Sequence, residues 1–502
     1  MNVKIGNANA NRFPLLLLAG SSETHLTTKG GFQELDAISL LMPHTKVAIR
    51  PPDLESIPQS ISTAYRTAFY GVAGTSFVDL PADLIQGEAS GGIRGLQPLP
   101  APPVSSADAV KLFKIAQLIK TAKAPLIVVG KGAAYARSEL ALRELVDKTN
   151  LPFLPSPMGK GVLPDSHPSN TASARSTALA HADVVVVLGA RLNWIFHFGE
   201  APKWNPEARF IQVDTAVEEI GRNGGDAELG IVGDIRVFVE QLTANLTDWH
   251  YDSSTSGFVE QLTASKQKNE EKAAKAAAKS SVPLNYAHAF SIVKTVLEEL
   301  SPAKEGGVVY VSEGANTMDI SRSAFDVEYP RLRLDAGTYA TMGVGLGYAI
   351  AAHEAYNGPF AEGSSGPAGR KKIVALEGDS AFGFSAMEIE TMARYQMDVL
   401  IFVMNNGGVY HGDSDTAEEW LSRQKASVDG KGDAAPLRST SLGWEVGYEK
   451  LAEACGGKGY MVRTTEELAK ATREGFEAKC PVIVNVMIES GKQGKLVGCH
   501  DR

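Results

Sequence analysis

Two short polar segments, each directly after an apolar run, carry residue types that bind metal ions and phosphate groups. The first is GDS at residues 378–380, and the second is NNGG at residues 405–408. A carboxylate, a side-chain amide and a backbone carbonyl are hard oxygen ligands, which Mg²⁺ takes together with diphosphate oxygens. The two segments therefore predict a magnesium–diphosphate site with Asp379, Asn406 and the carbonyl group of Gly408 as metal ligands.

The elements around these segments predict how they meet. Residues 371–376 and 399–404 read as short buried strands, and residues 381–395 carry a helical apolar pattern. A strand–helix–strand unit closes as a right-handed crossover, so both strands run parallel and their carboxyl ends lie near one another. Ligands of open α/β sheets bind at that edge, where N–H groups of the next helix face an anion. We therefore expect Asp379 and Asn406 to converge at one edge of a sheet.

Each segment also has a structural explanation of its own. Asp379 could cap the helix that follows it, and an Asn-Asn-Gly-Gly run is often only a loop or a hairpin turn. Both segments occur at the ends of consecutive predicted parallel strands. This shared position favours a binding site over two unrelated turns.

The composition of the chain is that of a globular protein with ample cores. The chain has 502 residues, of which 44% are hydrophobic and 21% charged, enough for two or three domains. The net charge of −9 is spread without acidic or basic blocks, which argues against nucleic acid as the main partner. No apolar run is long enough for membrane insertion. The three cysteines show neither metal nor disulfide spacing, which favours a reducing compartment.

Alternation of strand and helix patterns predicts an α/β protein made of three doubly wound parallel-sheet domains. A polar, Lys/Ala-rich stretch reads as a connecting helix between the second and third domains, and a short tail follows the third. The predicted boundaries are 1–88, 105–245 and 283–490 for the domains, 246–282 for the connecting helix or linker, and 491–502 for the tail.

A glycine-rich stretch precedes the first polar segment. Met342 is followed by glycines at 343, 345 and 347 and then by a run of small residues, which suits close packing against a ligand or another helix. Structural packing alone would also explain the glycines, and a methionine here is usually a core residue. The functional interpretation of Met342 therefore depends on the neighbouring metal site.

The second predicted domain holds three candidates for a nucleotide-bearing ligand. Arg191 and Trp194 follow the run VVVVLGA and place a cation and an aromatic ring at a strand end. Asp214 ends the strand RFIQVD, where a ribose-binding carboxylate could lie. A buried tryptophan beside a surface arginine, and a helix cap at Asp214, are the structural alternatives.

Together these motifs resemble those of the thiamine-diphosphate-dependent enzymes, in the branch of 2-hydroxyacyl-CoA lyase and oxalyl-CoA decarboxylase. Thr341 and the segments TMD at 317–319 and DSDT at 413–416 look like the lyase. The resemblance covers nearly the whole chain. It is carried by SEGANTMDISR (312–322), RLDAGTYATMGVGLGYAIAA (333–352), GDSAFGFSAMEIETMARY (378–395), NNGGVYHGDSDT (405–416) and GGKGYMVRTTEEL (456–468).

The resemblance implies a role for each domain. Residues 1–88 would be part of a pyrimidine-binding domain, residues 105–245 a central domain that holds the CoA nucleotide, and residues 283–490 the diphosphate-binding domain. Met342 would be the apolar wedge that brings the aminopyrimidine of the cofactor against its thiazolium ring. The residues implied to bind thiamine diphosphate are Ala340, Met342, Gly378, Ser380, Ala381, Asn406 and Tyr410, with Mg²⁺ on Asp379, Asn406 and Gly408.

The implied activity is cleavage of a 2-hydroxyacyl-CoA thioester to formyl-CoA and a shortened aldehyde, as in fatty acid α-oxidation. Oxalyl-CoA decarboxylase or an acetolactate-type enzyme is the alternative on the same scaffold. Arg191, Trp194 and Asp214 would then contact the substrate. Enzymes of this family place the cofactor between two subunits, which implies a homodimer or homotetramer. The compartment would be peroxisomal or cytoplasmic, since the C-terminus is not an SKL-type signal.

The chain departs from the family pattern at its beginning. Met1 stands almost directly before NANANRFP, and no residue matches the glutamate that activates the cofactor in the family, so no catalytic residue is assigned. Glu34 belongs to a different motif, and Ala340 stands where close relatives usually have glycine. Two expectations follow: either the active lyase is longer than this chain, or the chain is a non-catalytic homologue that binds the cofactor only.

Overall fold

The structure is a computed structural model that describes residues 2–89, 91, 96–254, 256–359, 361, 369–430 and 434–491. Apart from Gly491, the predicted tail 491–502 lies outside the described residues. Within them the strands form three sheets, and all paired strands run parallel. The predicted α/β class with three parallel-sheet domains is therefore confirmed. No helix in the described ranges combines the length and the apolar character needed to cross a membrane.

The chain divides into two compact units, and the first comprises the residues up to Ser105 together with Gly337–Thr341. Its sheet has the order β1-β3-β2. Its strands are β1 (Leu15–Ser21), β2 (Val47–Ile49) and β3 (Thr75–Pro81), and its helices are α1 (Asn2–Ala10), α2 (Ala37–Leu41), α3 (Ile57–Phe69) and α4 (Ala82–Gln86).

The segment Gly337–Thr341 packs within this first unit although it is distant in sequence. The N–H group of Thr338 donates to Oδ1 of the fully buried Asn11 at 2.9 Å. A Cβ atom on Gly337 would lie 2.3 Å from the same oxygen, and the φ of Gly337 is +62°. Only glycine fits there. Ala340 also has a left-handed backbone, with φ +52°.

The second unit contains two sheets, of which the first in sequence has five strands in the order β5-β4-β6-β7-β8. Its strands are β4 (Pro125–Val129), β5 (Phe153–Pro155), β6 (Val184–Leu188), β7 (Arg209–Asp214) and β8 (Ile231–Val232). Its helices are α5 (Ala109–Thr121), α6 (Lys131–Tyr135), α7 (Glu139–Thr149), α8 (Arg175–His181) and α9 (Ile235–Asn245), and the long helix α10 (Phe258–Ala278) follows.

The other sheet of the second unit has six strands in the order β10-β9-β11-β12-β14-β13. Its strands are β9 (Val308–Glu313), β10 (Arg333–Asp335), β11 (Lys372–Gly378), β12 (Leu400–Asn405), β13 (Lys458–Val462) and β14 (Val482–Met487). Its helices are α11 (Tyr286–Leu300), α12 (Ala315–Ala324), α13 (Gly345–Asn357), α14 (Asp379–Phe382), α15 (Glu388–Arg394), α16 (Ala417–Asp429), α17 (Glu449–Ala454) and α18 (Thr465–Glu477).

Short 3₁₀ helices connect several of these elements. They span Thr24–Leu26, Met42–His44, Pro157–Gly159, Ala172–Ala174, Trp194–Gly199, Val217–Glu219, Ala227–Leu229 and Ala303–Glu305. The domain boundaries predicted from the sequence stay predictions, since contacts group the two larger sheets in one unit.

The two central strands of the six-stranded sheet are buried along their whole length. Every residue of β11 and β12 is buried, which explains why both read as continuous apolar runs in the sequence. Val374 pairs with Leu400 and Gly378 with Met404, so the two strands end side by side. This register brings the residues after each strand to the same edge.

The helical pattern predicted for residues 381–395 is divided into two short helices. Helix α14 ends at Phe382 and helix α15 begins at Glu388. Between them, the N–H group of Phe384 donates to the carbonyl of Ala381, a tighter bond than an α-helix makes. Gly383 and Ser385 are weak helix formers in this stretch. The prediction of helical structure in residues 381–395 is therefore confirmed, but the structure has two short helices instead of one continuous helix.

Asp398 anchors a cluster of basic groups just before β12, at the end of the sheet opposite Gly378 and Asn405. It is 4% exposed, and Arg370 Nη2 lies 2.6 Å from its Oδ1 atom. His353 Nε2 lies 3.3 Å and Lys372 Nζ 3.9 Å from the carboxylate. Burial by itself would raise the pKa of Asp398, but the His353 contact and the two cations lower it to about 2.

Substituting Ala340→Gly is expected to stabilise the first unit. The left-handed backbone of Ala340 costs a residue with a Cβ atom on the order of 1 kcal/mol. Glycine avoids this cost, but the net gain is smaller because glycine loses more chain entropy on folding. Denaturant unfolding should show a gain of up to about 1 kcal/mol. Ala276→Gly in helix α10, where the backbone is helical, should lower stability instead; equal losses in both variants would contradict the strain at Ala340.

Asp398→Asn is expected to destabilise the second unit at pH 7 by about 3 kcal/mol, because the nearby cations lose their buried partner. The folded-state pKa of Asp398 lies below its unfolded value, so its stabilisation is complete above about pH 4 and is lost as the pH falls toward 2. In urea unfolding of the unsubstituted protein, the contribution of Asp398 to the free energy of unfolding should therefore fall by on the order of 1–2 kcal/mol in that window. The Asp398→Asn variant should lose less stability in that window than the unsubstituted protein, although other carboxylates with a lowered pKa, such as Asp413, still titrate there. The exposed Glu390→Gln variant should keep nearly the full loss.

Candidate functional site

A cleft lies at the carboxyl-terminal edge of the six-stranded sheet, where β9, β11 and β12 end. It contains the predicted residues Met342, Gly378, Asp379, Ser380, Asn406, Gly408 and Tyr410. Asp379 and Asn406 follow neighbouring parallel strands, so the expected convergence at one sheet edge is present. The rest of the lining comes from Tyr286, Val409 and the segment 314–317.

Asp379 is held almost entirely out of solvent at the start of α14. It is 2% exposed, and its Oδ2 atom accepts bonds from the N–H groups of Gly407 at 2.8 Å and Gly408 at 3.2 Å. Its Oδ1 atom accepts from the N–H group of Ser380 at 2.7 Å. Burial raises the pKa of Asp379 to about 6, against the effect of these amide bonds. A cation beside the carboxylate would favour its charged form.

The loop after β12 is folded back on itself by the side chain of Asn406. Its Nδ2 atom donates to the carbonyl of Tyr410 at 3.0 Å, and its Oδ1 atom accepts from the N–H group of Gly408 at 3.2 Å. Asn316 donates to the same Tyr410 carbonyl at 2.9 Å. Tyr410 has φ +66°, a conformation that these two bonds help to hold.

A second segment braces this loop from outside. The N–H group of Val409 donates to the carbonyl of Thr440, and that of Leu442 donates to the carbonyl of Gly407, both at 2.9 Å. A Cβ atom on Gly408 would lie 3.0 Å from the Thr440 carbonyl and 2.6 Å from that of His411. Glycine at 408 therefore allows the two segments to approach, and its position is fixed from both sides.

The amino terminus of α12 also faces the cleft, which the sequence analysis did not assign to the site. Gly314 precedes this helix with φ +89°, and no side chain caps the first turn. Residues 315–317 line the cleft, at the end of a helix where N–H groups attract anions. The sequence contains a signal for this position, because the run VVYVSEG reads as another strand followed by a glycine and a helix.

Close packing joins this helix to the GDS turn. A Cβ atom on Gly314 would lie 3.1 Å from the amide nitrogen of Gly378, and one on Gly378 would lie 3.3 Å from Oγ1 of Thr317. The hydroxyl groups of Thr317 and Tyr286 lie 3.0 Å apart. Burial raises the pKa of Tyr286, so its hydroxyl group stays protonated and can donate or accept.

Two glutamates lie behind the cleft, at the ends of β9 and β11. Glu313 and Glu377 are paired in the sheet register, and both are fully buried. Burial raises the pKa of each, and the proximity of Glu313 raises that of Glu377 further. The Glu313 carboxylate accepts bonds from the N–H groups of Gly343 and Gly345, directly after Met342.

Several predicted residues do not line this cleft. Ala381 is fully buried, and Ala340 belongs to the first unit. Arg191, Trp194 and Asp214 lie at the carboxyl-terminal edge of the five-stranded sheet. Their predicted roles stay predictions.

The alternatives weighed for these three residues can be compared with their contacts. Asp214 Oδ1 accepts from the N–H group of Ala216 at 2.9 Å, but Ala216 and not Asp214 is the N-cap of the 3₁₀ helix that follows. Burial raises the pKa of Asp214. Arg191 Nε lies 3.5 Å from the Glu219 carboxylate. Trp194 is only partly buried, at the start of a 3₁₀ helix. The contact of Asp214 closes a local turn and caps no helix, while Trp194 is not the core tryptophan that was considered.

The donor set at the cleft fits a magnesium–diphosphate group. Among the described residues no cluster of three or more His, Cys, Asp or Glu side chains could hold a metal ion by itself. One carboxylate, one amide oxygen and one carbonyl would instead share Mg²⁺ with the oxygens of a ligand, which is usual for this ion. The first turn of α12 and the glycines at 314, 378 and 408 line the same cleft, so such a ligand would face three segments of the chain.

Comparison with known proteins agrees with this geometry. Residues 112–242, which include most of the five-stranded sheet, match the family described as thiamine pyrophosphate enzyme, central domain. Residues 313–486, which include β11, β12 and the polar segments that follow them, match the thiamine pyrophosphate enzyme C-terminal TPP binding domain. Thiamine pyrophosphate is another name for thiamine diphosphate.

Curated relatives match along nearly the whole chain. The human 2-hydroxyacyl-CoA lyase 1 is 41% identical over 99% of this chain and 82% of its own length. The 2-hydroxyacyl-CoA lyase of Saccharomyces cerevisiae is 39% identical over 98% of the chain and 83% of its length. The oxalyl-CoA decarboxylase of Escherichia coli K12 is 37% identical over 97% of the chain and 81% of its length. The chain therefore belongs to the thiamine pyrophosphate enzymes, in the group that contains the 2-hydroxyacyl-CoA lyases and oxalyl-CoA decarboxylases.

Proposed function

We propose that the protein is a thiamine-diphosphate-dependent carbon–carbon lyase that cleaves 2-hydroxyacyl-CoA to formyl-CoA and an aldehyde one carbon shorter. The observation that carries this proposal is the 41% identity to a 2-hydroxyacyl-CoA lyase over 99% of the chain. The cleft supports it independently, because its donor set suits a magnesium diphosphate.

In this proposal Asp379, Asn406 and the carbonyl of Gly408 hold Mg²⁺. The buried Asp379 carboxylate supports the assignment, since its amide bonds fix its direction and none of the described residues that line the cleft with it is basic. The N–H groups at the start of α12 and at Ser380 would face the diphosphate. Bound thiamine diphosphate would supply the electron sink that the cleavage of a carbon–carbon bond requires.

The remaining residues of the cleft shape the space around the cofactor. Met342 presents an apolar, polarizable side chain to the cleft. Gly378 lets the start of α12 approach closely, and Ala381, next in the chain to Ser380, is fully buried. Tyr410 lines the cleft from the loop after β12. We assign these residues to cofactor binding, and the cofactor role of Ala340 stays a prediction from the family.

For the substrate we propose an acyl-CoA thioester whose nucleotide part binds at the five-stranded sheet, near Arg191, Trp194 and Asp214. The partly exposed arginine and tryptophan support this, since a cation and a ring together suit a nucleotide. Oxalyl-CoA decarboxylase is the second candidate activity, favoured by the 37% identity to that enzyme in Escherichia coli K12. A homodimer or homotetramer, in a peroxisome or the cytoplasm, stays a prediction from the family.

Asp379→Asn is expected to weaken the binding of thiamine diphosphate in the presence of Mg²⁺ by at least about tenfold, because the metal loses its charged ligand. Isothermal titration calorimetry of the purified protein measures this directly. The exposed Glu390→Gln variant, on α15 of the same sheet domain, should bind as the unsubstituted protein does. Equal affinity of the Asp379→Asn variant and the unsubstituted protein would remove Asp379 from the site.

The native protein, isolated as the cell makes it, is expected to release formyl-CoA and a shortened aldehyde from a 2-hydroxyacyl-CoA. Mass spectrometry of the products checks this, and removal of Mg²⁺ with a chelator should abolish turnover. Formyl-CoA from oxalyl-CoA alone would favour the decarboxylase. Cofactor binding without turnover of either substrate would favour a non-catalytic homologue.

A further inference from the structure

A buried carboxylate is bonded to the backbone that presents Met342 to the cleft. We propose that Glu313 is a positioning residue for the reaction: it fixes the turn after Met342 and so fixes the apolar wall that this methionine forms. The inference rests on the proposed function, since it concerns the same cleft. Glu313 itself is fully buried and does not line the cleft, so it acts through Met342.

The bonds of Glu313 define the direction of the turn. One carboxylate oxygen accepts from the N–H group of Gly343 and the other from that of Gly345. Gly343 has φ +85°, so the backbone reverses between Met342 and helix α13. Two bonds from one rigid carboxylate to amides two residues apart fix both the position and the tilt of this reversal.

The glycine at 345 is what allows the approach. A Cβ atom there would lie 2.6 Å from Oε2 of Glu313 and 2.3 Å from Oε1 of Glu377. Any larger residue would push the turn away from the carboxylates. The sequence Met-Gly-Val-Gly therefore combines the methionine of the cleft with two glycines that let its backbone be held from behind.

Apolar packing holds the other side of the same turn. The buried Val344 packs with Met318 of α12 and with Ala336. Since Met318 lies in the helix whose first turn lines the cleft, the turn and the diphosphate-facing helix share one support. Without the Glu313 bonds this packing would remain, but the two amides of the turn would lose their acceptor.

The proposed metal ligands lie elsewhere in the cleft. Asp379 and Asn406 follow β11 and β12, and their bonds involve the loops at 380 and 406–410. Glu313 makes no bond to either residue in the described structure. A role in positioning Met342 therefore predicts a loss of affinity for the whole cofactor and not for a free diphosphate.

The test compares two probes in the presence of Mg²⁺: thiamine diphosphate and inorganic pyrophosphate. Glu313→Gln keeps the volume but replaces one acceptor oxygen by a donor, and calorimetry should show about tenfold weaker binding of thiamine diphosphate. The affinity for pyrophosphate should stay within about twofold. Met342→Ala should give the same selective loss. Because both substitutions act on one contact, the double variant should bind hardly more weakly than either single one.

A purely structural role for Glu313 would give a different result. Equal weakening of both probes, or additive losses in the double variant, would overturn the proposal. Glu449→Gln is the matched control, because Glu449 is a buried glutamate of the same sheet domain that accepts from Asn485 Nδ2 at 2.8 Å, away from this turn. It should lower thermal stability and leave the ratio of the two affinities unchanged.

Gly345→Ala provides a second route if the Glu313→Gln protein does not fold. Its Cβ atom would displace the turn from the carboxylates, so the same selective loss is expected, and its absence in a folded protein would overturn the proposal. When either substitution is made in the native enzyme, the turnover number should fall while KM for the acyl-CoA stays near the value of the unsubstituted enzyme. An unsubstituted protein that binds neither probe would count against the proposed function. Binding of both probes with no selective loss would count against the role of Glu313 alone.

Discussion

The parallel pairing of β11 with β12 is the constraint on which the site depends. Gly378 lies opposite Met404, so the chain leaves both strands at the same level of the sheet. Asp379 and the loop of Asn406 are then close enough for the Asp379 carboxylate to accept from the N–H groups of Gly407 and Gly408. A shift of this register by one residue would also turn buried side chains toward the wrong face, so the fold and the site are fixed by the same pairing.

The neighbouring pair, β9 with β11, extends the same constraint to the rest of the cleft. It places Glu313 beside Glu377, and thereby Gly314 beside Gly378. The start of α12 and the turn after Met342 are both attached to this pair, although they are far apart in sequence. Burying two carboxyl groups is costly unless they are hydrogen-bonded, and for Glu313 the partners are backbone amides of the turn.

The sequence predicted the parts of the site that follow from local pattern. Continuous apolar runs located β11 and β12, and the rule for strand ends brought Asp379 to Asn406. The features that a local sequence pattern does not predict depend on contacts between residues distant in sequence. The break after Phe382 and the packing of Gly337–Thr341 within the first unit depend on partners that no periodicity shows. The position of α12 at the cleft follows from the same strand-end rule, because β9 also ends just before a glycine and a helix.

The arrangement separates two tasks that a cofactor site must perform. Anchoring of a charged group requires fixed oxygens and N–H groups, which the loops after β11 and β12 supply through bonds among themselves. Shaping an apolar wall requires a side chain with a fixed backbone behind it, which the Met342 turn obtains from Glu313. Because the two sets of bonds share no atoms, a change at Glu313 can disturb the apolar wall while the bonds of the anchoring loops remain.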